Sequence, residues 1–220
     1  MPQILPRAFL FFFLASLLFG CSQHTIQQGE VVSVLTAYGL VHPETKVRIT
    51  TKFGVIDLVL YGDTPLHRAN FIRLVKNGFF DGEGDFQRVV KGFVVQGGAP
   101  GRAEVTHLIP QEMGAGHFHH TGALAAARRD ANSNKASNAA DFYIVHGHST
   151  GDDELTAAGI APTDKRWAIY RQLGGTPSLD GNYTVFGQVT KGMDVIEKIA
   201  SQQVAEEKPL QKIPFQVQVF

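Results

Sequence analysis

From Lys46 onward the chain alternates apolar and polar positions in short runs. Val47-Arg48-Ile49-Thr50-Thr51 and Val55-Ile56-Asp57-Leu58-Val59-Leu60 are rich in β-branched residues and are parted by Lys52-Phe53-Gly54, which predicts an antiparallel hairpin. Gly62-Asp63-Thr64-Pro65 then supplies an N-cap and a proline for a first helical turn, and Phe71, Leu74 and Val75 form the apolar stripe of a helix that Gly78 ends. Phe86–Val90, Phe93–Gln96, Ala123–Ala127, Phe142–His146, Thr184–Val189 and Phe215–Phe220 read as further short strands, and Met193–Ala200 as a second helix. Many short strands with few helices predict a mainly β fold, a closed antiparallel barrel.

The first 45 residues are patterned differently. Arg7 precedes a largely apolar run from Ala8 to Phe19, followed by Gly20 and Cys21. That run is about a dozen residues, short of the roughly 20 that cross a bilayer as a helix, so residues 1–20 read as a secretory leader. Leu18-Phe19-Gly20-Cys21 resembles a bacterial lipobox, in which cleavage leaves Cys21 as the lipid-bearing N-terminus; the alternative is an ordinary signal peptide with a cysteine near its cut. A diacylglycerol with an added acyl chain exceeds the two-chain threshold for stable anchoring. Residues 21–45 read as a tether, polar at first and then mildly apolar, with alternation across Val31–Val41 too weak to decide on an added strand. Residues 46–220 form the folded domain.

Composition narrows the choice of chemistry. With 220 residues, 44% apolar and 18% charged, the chain has enough apolar residues for one good core. Twenty basic and twenty acidic side chains balance, so no basic face fit for a phosphate backbone is implied and nucleic acid is not an expected partner. One cysteine excludes an internal disulfide and any zinc site built on two thiolates. His117, His119 and His120, and the pair His146 and His148, have the i, i+2 spacing that shares a strand face, but no carboxylate or thiolate of ligand spacing joins them. They read as strand-edge histidines, with no metal or other cofactor expected.

Five segments, in order, resemble the cyclophilins. They are Thr64-Pro65 with Asn70-Phe71; Phe86-Gln87-Arg88-Val89-Val90-Lys91-Gly92-Phe93-Val94-Val95-Gln96-Gly97-Gly98; Gly122-Ala123-Leu124-Ala125-Ala126-Ala127-Arg128; Asp141-Phe142-Tyr143-Ile144; and Val185-Phe186-Gly187-Gln188-Val189 with Gly192-Met193-Asp194-Val195-Ile196. The resemblance implies an eight-stranded closed antiparallel barrel capped by two α-helices, and peptidyl-prolyl cis/trans isomerase activity without a cofactor. It implies Arg88 as the catalytic arginine, with Phe93 and Gln96 at the reacting centre. Val94, Tyr143 and Leu179 would wall the proline pocket with Phe93, and Gln96 and Ala127 would hold the peptide backbone. Asp141 and Tyr183 would complete the binding groove.

The sequence also departs from the family's pattern. Gln87 replaces a histidine, Asp141 a glutamine, Ser178 an aromatic and Tyr183 a histidine. A carboxylate at Asp141 would either hold Arg88 away from the prolyl nitrogen or orient it. Loss of the aromatic at Ser178 implies poor inhibition by cyclosporin. His146 to Asp180 is a longer connection than the family's usual one, with one or two helical turns in Asp152–Ala158, a helix in Pro162–Leu173 capped by Thr163, and a return through Gly174-Gly175-Thr176-Pro177. Trp167 is expected to anchor this insertion on the barrel, the alternative being a substrate wall. The expected partners are proline-containing segments of folding proteins and, through Cys21, a membrane, with the protein monomeric. The expected location is the cell envelope, facing the periplasm in a Gram-negative host, where Ser22 suits passage to the outer membrane. A catalytically weak chaperone module of the same fold is the competing reading.

Overall fold

In the computed structural model, residues 25–102, 104–128 and 133–220 are described. Cys21 and the leader lie outside them. In chain order the elements are α1 (Val31–Val41), β1 (Lys46–Thr51), β2 (Gly54–Leu60), α2 (Pro65–Lys76), β3 (Asp85–Val90), β4 (Val94–Gly98), β5 (Leu108–Ile109), β6 (Ala123–Ala126), β7 (Ser137–Asn138), β8 (Phe142–Val145), α3 (Asp152–Ala157), α4 (Lys165–Leu173), β9 (Val185–Lys191), α5 (Met193–Ala200), β10 (Val204–Ala205), β11 (Lys208–Pro209) and β12 (Phe215–Val219).

Eight strands form one antiparallel sheet in the order β12-β1-β2-β9-β6-β8-β4-β3. Its two edges nearly meet: Phe86 N–H donates to the Ile213 carbonyl at 3.0 Å and Phe215 N–H to that of Gly84 at 2.9 Å. Closure leaves few unpaired edge groups, which is how an all-β domain this size avoids edge-to-edge association. Side chains alternate across each strand. On β8, Phe142 and Ile144 point into the main core with Val95, Leu124 and Ala126 of the neighbouring strands. Tyr143 and Val145 point the other way, into a second apolar cluster with Val94, Ala123, Ala125 and Val185. Both faces of these central strands are therefore buried, one by the core and one by the walls of a groove.

Helices α2 and α5 add Phe71, Ile72, Leu74 and Val75, and Val195, Ile196, Ile199 and Ala200, to the main core. Thr64 precedes α2, but its side chain makes no cap. Glu112 caps it from a distant loop instead, accepting from the N–H groups of Leu66 and His67 at 2.9 Å each.

Three expectations are corrected. Over its described residues the segment read as a tether is docked: the Thr25 hydroxyl donates to the Glu104 carbonyl at 2.6 Å, and the Gln28 side chain exchanges two hydrogen bonds with the backbone of Leu108. Within it Val31–Val41 is a helix, not the added strand that its weak alternation left open. Val31 and Leu35, one helical turn apart, are fully buried, and Tyr38 packs beside them. Tertiary packing thus overrides the β-propensity of four valines. In the insertion, α4 begins at Lys165 with Asp164 as its cap, accepting from Arg166 N–H at 2.8 Å, and not with Thr163. Trp167 packs with Phe118, Leu155, Ile160 and Tyr170 in a small separate cluster. Gly175, at φ +146°, lies against the backbone of His119 and His120, where a Cβ would collide with the His119 carbonyl.

Candidate functional site

The register of four neighbouring strands builds the site. Arg88 on β3 lies opposite Gln96 on β4, Gln96 opposite Tyr143 on β8, and Tyr143 opposite Ala125 on β6. Directly opposed residues share a face, so these form one row across the outside of the barrel. A bulge between Phe86 and Arg88 interrupts the β3–β4 register, a common device for re-aiming a side chain. The row runs along a cavity of about 560 Å³ lined by Arg88, Phe93, Val94, Gln96, Ala127, Asp141, Tyr143, Leu179 and Tyr183, together with Arg128 and Asn138. All nine groove residues expected from the sequence therefore meet around one cavity; Ser178 and Trp167 are not among its lining residues. A second cavity of about 730 Å³ adjoins it through Asn138 and Asp141 and runs past Gln87 to His107.

Arg88 is held by a residue that sequence reasoning missed. Its Nε donates to the Glu207 carboxylate at 2.6 Å, and its guanidinium carbon lies 5.9 Å from the centre of the Phe93 ring. Glu207 sits in the turn between β10 and β11, where Glu206 and Glu207 have φ of +49° and +65°. Two consecutive non-glycine residues in the left-handed region are costly, and such strain collects at functional sites. The turn is fixed to β3, with Val89 N–H donating to the Glu207 carbonyl at 2.7 Å.

Asp141 does neither of the two things expected of it. Its carboxylate accepts from Gln87 Nε2 at 3.3 Å and Asn138 Nδ2 at 3.2 Å, so it ties two groove residues together. Ala127 is bonded to two groove neighbours: its N–H donates to the Asp141 carbonyl and its own carbonyl accepts from Asn138 N–H. The Ala127 N–H is thus engaged within the protein, while its carbonyl oxygen keeps a second lone pair. Its neighbour Arg128, absent from the expected set, lies with its guanidinium carbon 5.0 Å from the centre of the Tyr183 ring. Its place at the end of the Gly122–Arg128 run was the available signal.

Behind the groove the Tyr143 hydroxyl meets His119 Nε2 at 3.0 Å, and His119 Nδ1 meets Asp180 Oδ1 at 2.9 Å. Burial pushes the Tyr143 phenol far up and the His119 imidazole down. The other histidines have separate partners: His117 with Asp63, His120 with the Thr121 carbonyl, His146 with Glu197 and His148 with Glu154. Among the described residues no group of three or more His, Cys, Asp or Glu is placed to hold a metal ion. Ser137, His67 and Glu112 form a chain in the order of a nucleophilic triad. Ser137 is only 1% exposed, however, and Glu112 spends its carboxylate capping α2, so that chain holds structure.

The cavity sets two guanidinium groups, those of Arg88 and Arg128, beside the apolar walls of Phe93, Val94, Ala127 and Leu179. A family profile described as cyclophilin type peptidyl-prolyl cis-trans isomerase/CLD matches residues 46–218. A Staphylococcus aureus (strain COL) protein bearing the name peptidyl-prolyl cis-trans isomerase is 32% identical over 183 residues, 77% of this chain and 88% of its own length. A Staphylococcus epidermidis relative with the same name is 33% identical over 180 residues, 76% of this chain and 87% of its own. In fold, a crystal structure of a Cryptosporidium parvum cyclophilin type peptidyl-prolyl cis-trans isomerase gives a TM-score of 0.61 at 20% identity, covering 80% of this chain and 98% of that one. Another from that organism, obtained in the presence of the dipeptide Ala-Pro, gives 0.60. The chain belongs to the cyclophilin-type peptidyl-prolyl cis-trans isomerase family.

Proposed function

We propose that this isomerase drives rotation about X-Pro bonds by Arg88 hydrogen bonding to the prolyl nitrogen, with the proline ring seated among Phe93, Val94, Tyr143 and Leu179. The observation that carries the reading is the placement of Arg88 at the end of the Gln96–Tyr143 row, beside the apolar walls of one cavity.

The chemistry follows from the bond itself. Rotation about a peptide C–N bond costs about 18–20 kcal/mol because the nitrogen lone pair is delocalised into the carbonyl, and X-Pro bonds turn over in tens to hundreds of seconds. In the twisted state that lone pair returns to the nitrogen and accepts a hydrogen bond, which the planar state cannot do. A donor aimed there binds the twisted state selectively and so accelerates rotation. Glu207 engages Arg88 through Nε, leaving the two Nη groups of the rigid fork to face substrate. A preorganised donor of this kind supplies roughly 3–4 kcal/mol, whereas an acceleration of about 10⁵ requires about 7. Desolvation by the apolar walls and fixation of one side of the bond by Gln96 contribute the remainder.

The substrates that fit are extended proline-containing segments, in keeping with the Ala-Pro dipeptide present with the Cryptosporidium parvum structure. We place the reaction in the cell envelope, on a chain anchored by lipid at Cys21. Thr25 is docked on the Glu104 carbonyl, and four residues reach at most about 14 Å, so a lipid on Cys21 would hold the barrel close to the membrane. Two measurements test the reading. Exchange of an Ala-Pro peptide should be accelerated by the native protein and reduced about 100-fold or more by Arg88→Ala; equal rates would overturn the mechanism. Cys21→Ala should move the protein from the membrane fraction to the soluble one, and an unchanged distribution would overturn the anchor.

A further inference from the structure

We infer that His119 and Asp180 are positioning residues of this isomerase: together they lock the two walls of the proline pocket, Tyr143 and Leu179, to each other and to the helical insertion. The inference rests on the reading of that cavity as the proline pocket.

Hydrogen-bond accounting fixes the arrangement. Asp180 Oδ1 accepts from the His119 backbone N–H at 3.0 Å, from His119 Nδ1 at 2.9 Å and from the Tyr170 hydroxyl of α4 at 2.8 Å. Its other oxygen lies 3.6 Å from Arg166 Nη1, also of α4. A carboxylate only accepts, so His119 carries its proton on Nδ1. Nε2 is then the acceptor, and the Tyr143 hydroxyl must donate to it across their 3.0 Å contact. The direction of every bond in the chain is thereby set by Asp180.

The chain joins walls that the fold brings from separate segments. Tyr143 stands on β8, whereas Leu179 ends the single 3-10 turn that immediately precedes Asp180. That turn is tied back to the same histidine, since Thr176 N–H donates to the His119 carbonyl at 2.8 Å. His119 is 1% exposed and Tyr143 4%, so no water competes for these bonds, and a group left without its partner there has nowhere else to turn. Tyr183, a third wall residue, packs its ring edge-on against both Tyr143 and His119. In contrast to Arg88, none of these groups reaches the reacting nitrogen: they shape the seat of the ring, which is the same in the planar and twisted states. Loss of the lock should therefore weaken substrate binding and leave the chemical step, as uniform binding does.

The test measures KM and kcat for Ala-Pro peptide isomerisation by the full-length protein and four variants. Tyr143→Phe removes one hydroxyl and should raise KM about fivefold with kcat within about twofold. His119→Leu should do the same. His119→Gln should restore most of the native KM, because its amide oxygen accepts from Tyr143 while its NH₂ donates to Asp180. The double variant Tyr143→Phe/His119→Leu should be no worse than His119→Leu alone, as expected for a shared interaction. A native KM in Tyr143→Phe, a Gln variant as impaired as the Leu variant, or additive losses would each overturn the inference. Should His119→Leu not fold, Tyr143→Phe alone decides. Arg88→Ala in the same assay separates this outcome from failure of the active-site reading: if it retains native kcat, the pocket is misassigned, and if it loses activity while Tyr143→Phe keeps a native KM, only the lock is wrong.

Discussion

Arg88 and Glu207 meet at the rim of the groove, their side chains 35% and 51% exposed, whereas His119 and Asp180 meet behind it, at 1% and 8%. The rim pair is screened by water and held in place by a strained turn. The inner chain is shielded and held by unambiguous donors and acceptors. A catalytic donor must reach substrate and so cannot be buried; a pocket wall must not move and so benefits from burial. The difference teaches that one groove can divide its work between an exposed charged side and a buried interior side, and the two should respond to different perturbations.

Protons should act first on the interior. Burial, and secondarily the Arg73 guanidinium, push the His107 imidazole from its ordinary 6.5 down to about 4, and burial lowers His119 as well. A base whose folded pKa is depressed contributes stability that is complete above its unfolded pKa and is lost as pH falls toward the folded one. Denaturant titrations at pH 7 and pH 5 should therefore differ by about 2 kcal/mol from His107 alone, and His107→Gln should flatten that difference. A stability independent of pH across the window would show that these imidazoles are not held neutral.

At the rim the expected effects are smaller in free energy but fall on the rate. Arg88→Lys keeps the charge and loses the fork that serves Glu207 and substrate together, so kcat should drop about tenfold with KM little changed. Replacing the strained pair by Glu206→Asn/Glu207→Gly gives the turn the residues it prefers. Thermal unfolding should rise by a few degrees, reflecting about 1 kcal/mol, while kcat falls about threefold because Arg88 loses its anchor. A more stable variant with undiminished kcat would mean that the strained turn serves no purpose in orienting Arg88. Salt should have the least effect: raising it to about 1 M shrinks the screening length to about 3 Å and should change kcat less than twofold, with KM of the Tyr143 side unaffected.

How much of this was legible in the sequence follows the same division between local and distant causes. The strands of the barrel were readable because alternation is a property of a few adjacent residues, and Arg88, Gln96 and Tyr143 fell into one row because register carries that alternation across strands. The departures arose where a partner lies far along the chain. Glu207 is 119 positions from Arg88 and Asp180 is 61 from His119, and neither pairing leaves a local mark. Glu112 caps α2 from 45 positions away, so Thr64 looked like the cap that it is not. Helix α1 was obscured by its valines, since only contact with Ala69 and Ile109 makes Val31 and Leu35 a buried stripe. Asp141 was recognised as important, but whether it would face Arg88 or Gln87 and Asn138 depends on the bulge in β3.

The central claim is that Arg88 acts on the twisted state and not on binding. It is tested most directly by measuring, in one sample each of native protein and Arg88→Ala, both the dissociation constant of an Ala-Pro peptide and its cis–trans exchange rate at saturation. The account predicts an exchange rate lower by about 100-fold or more with a dissociation constant within a few-fold of native. A variant that binds the peptide far more weakly yet turns the bound peptide over at the native rate would contradict it.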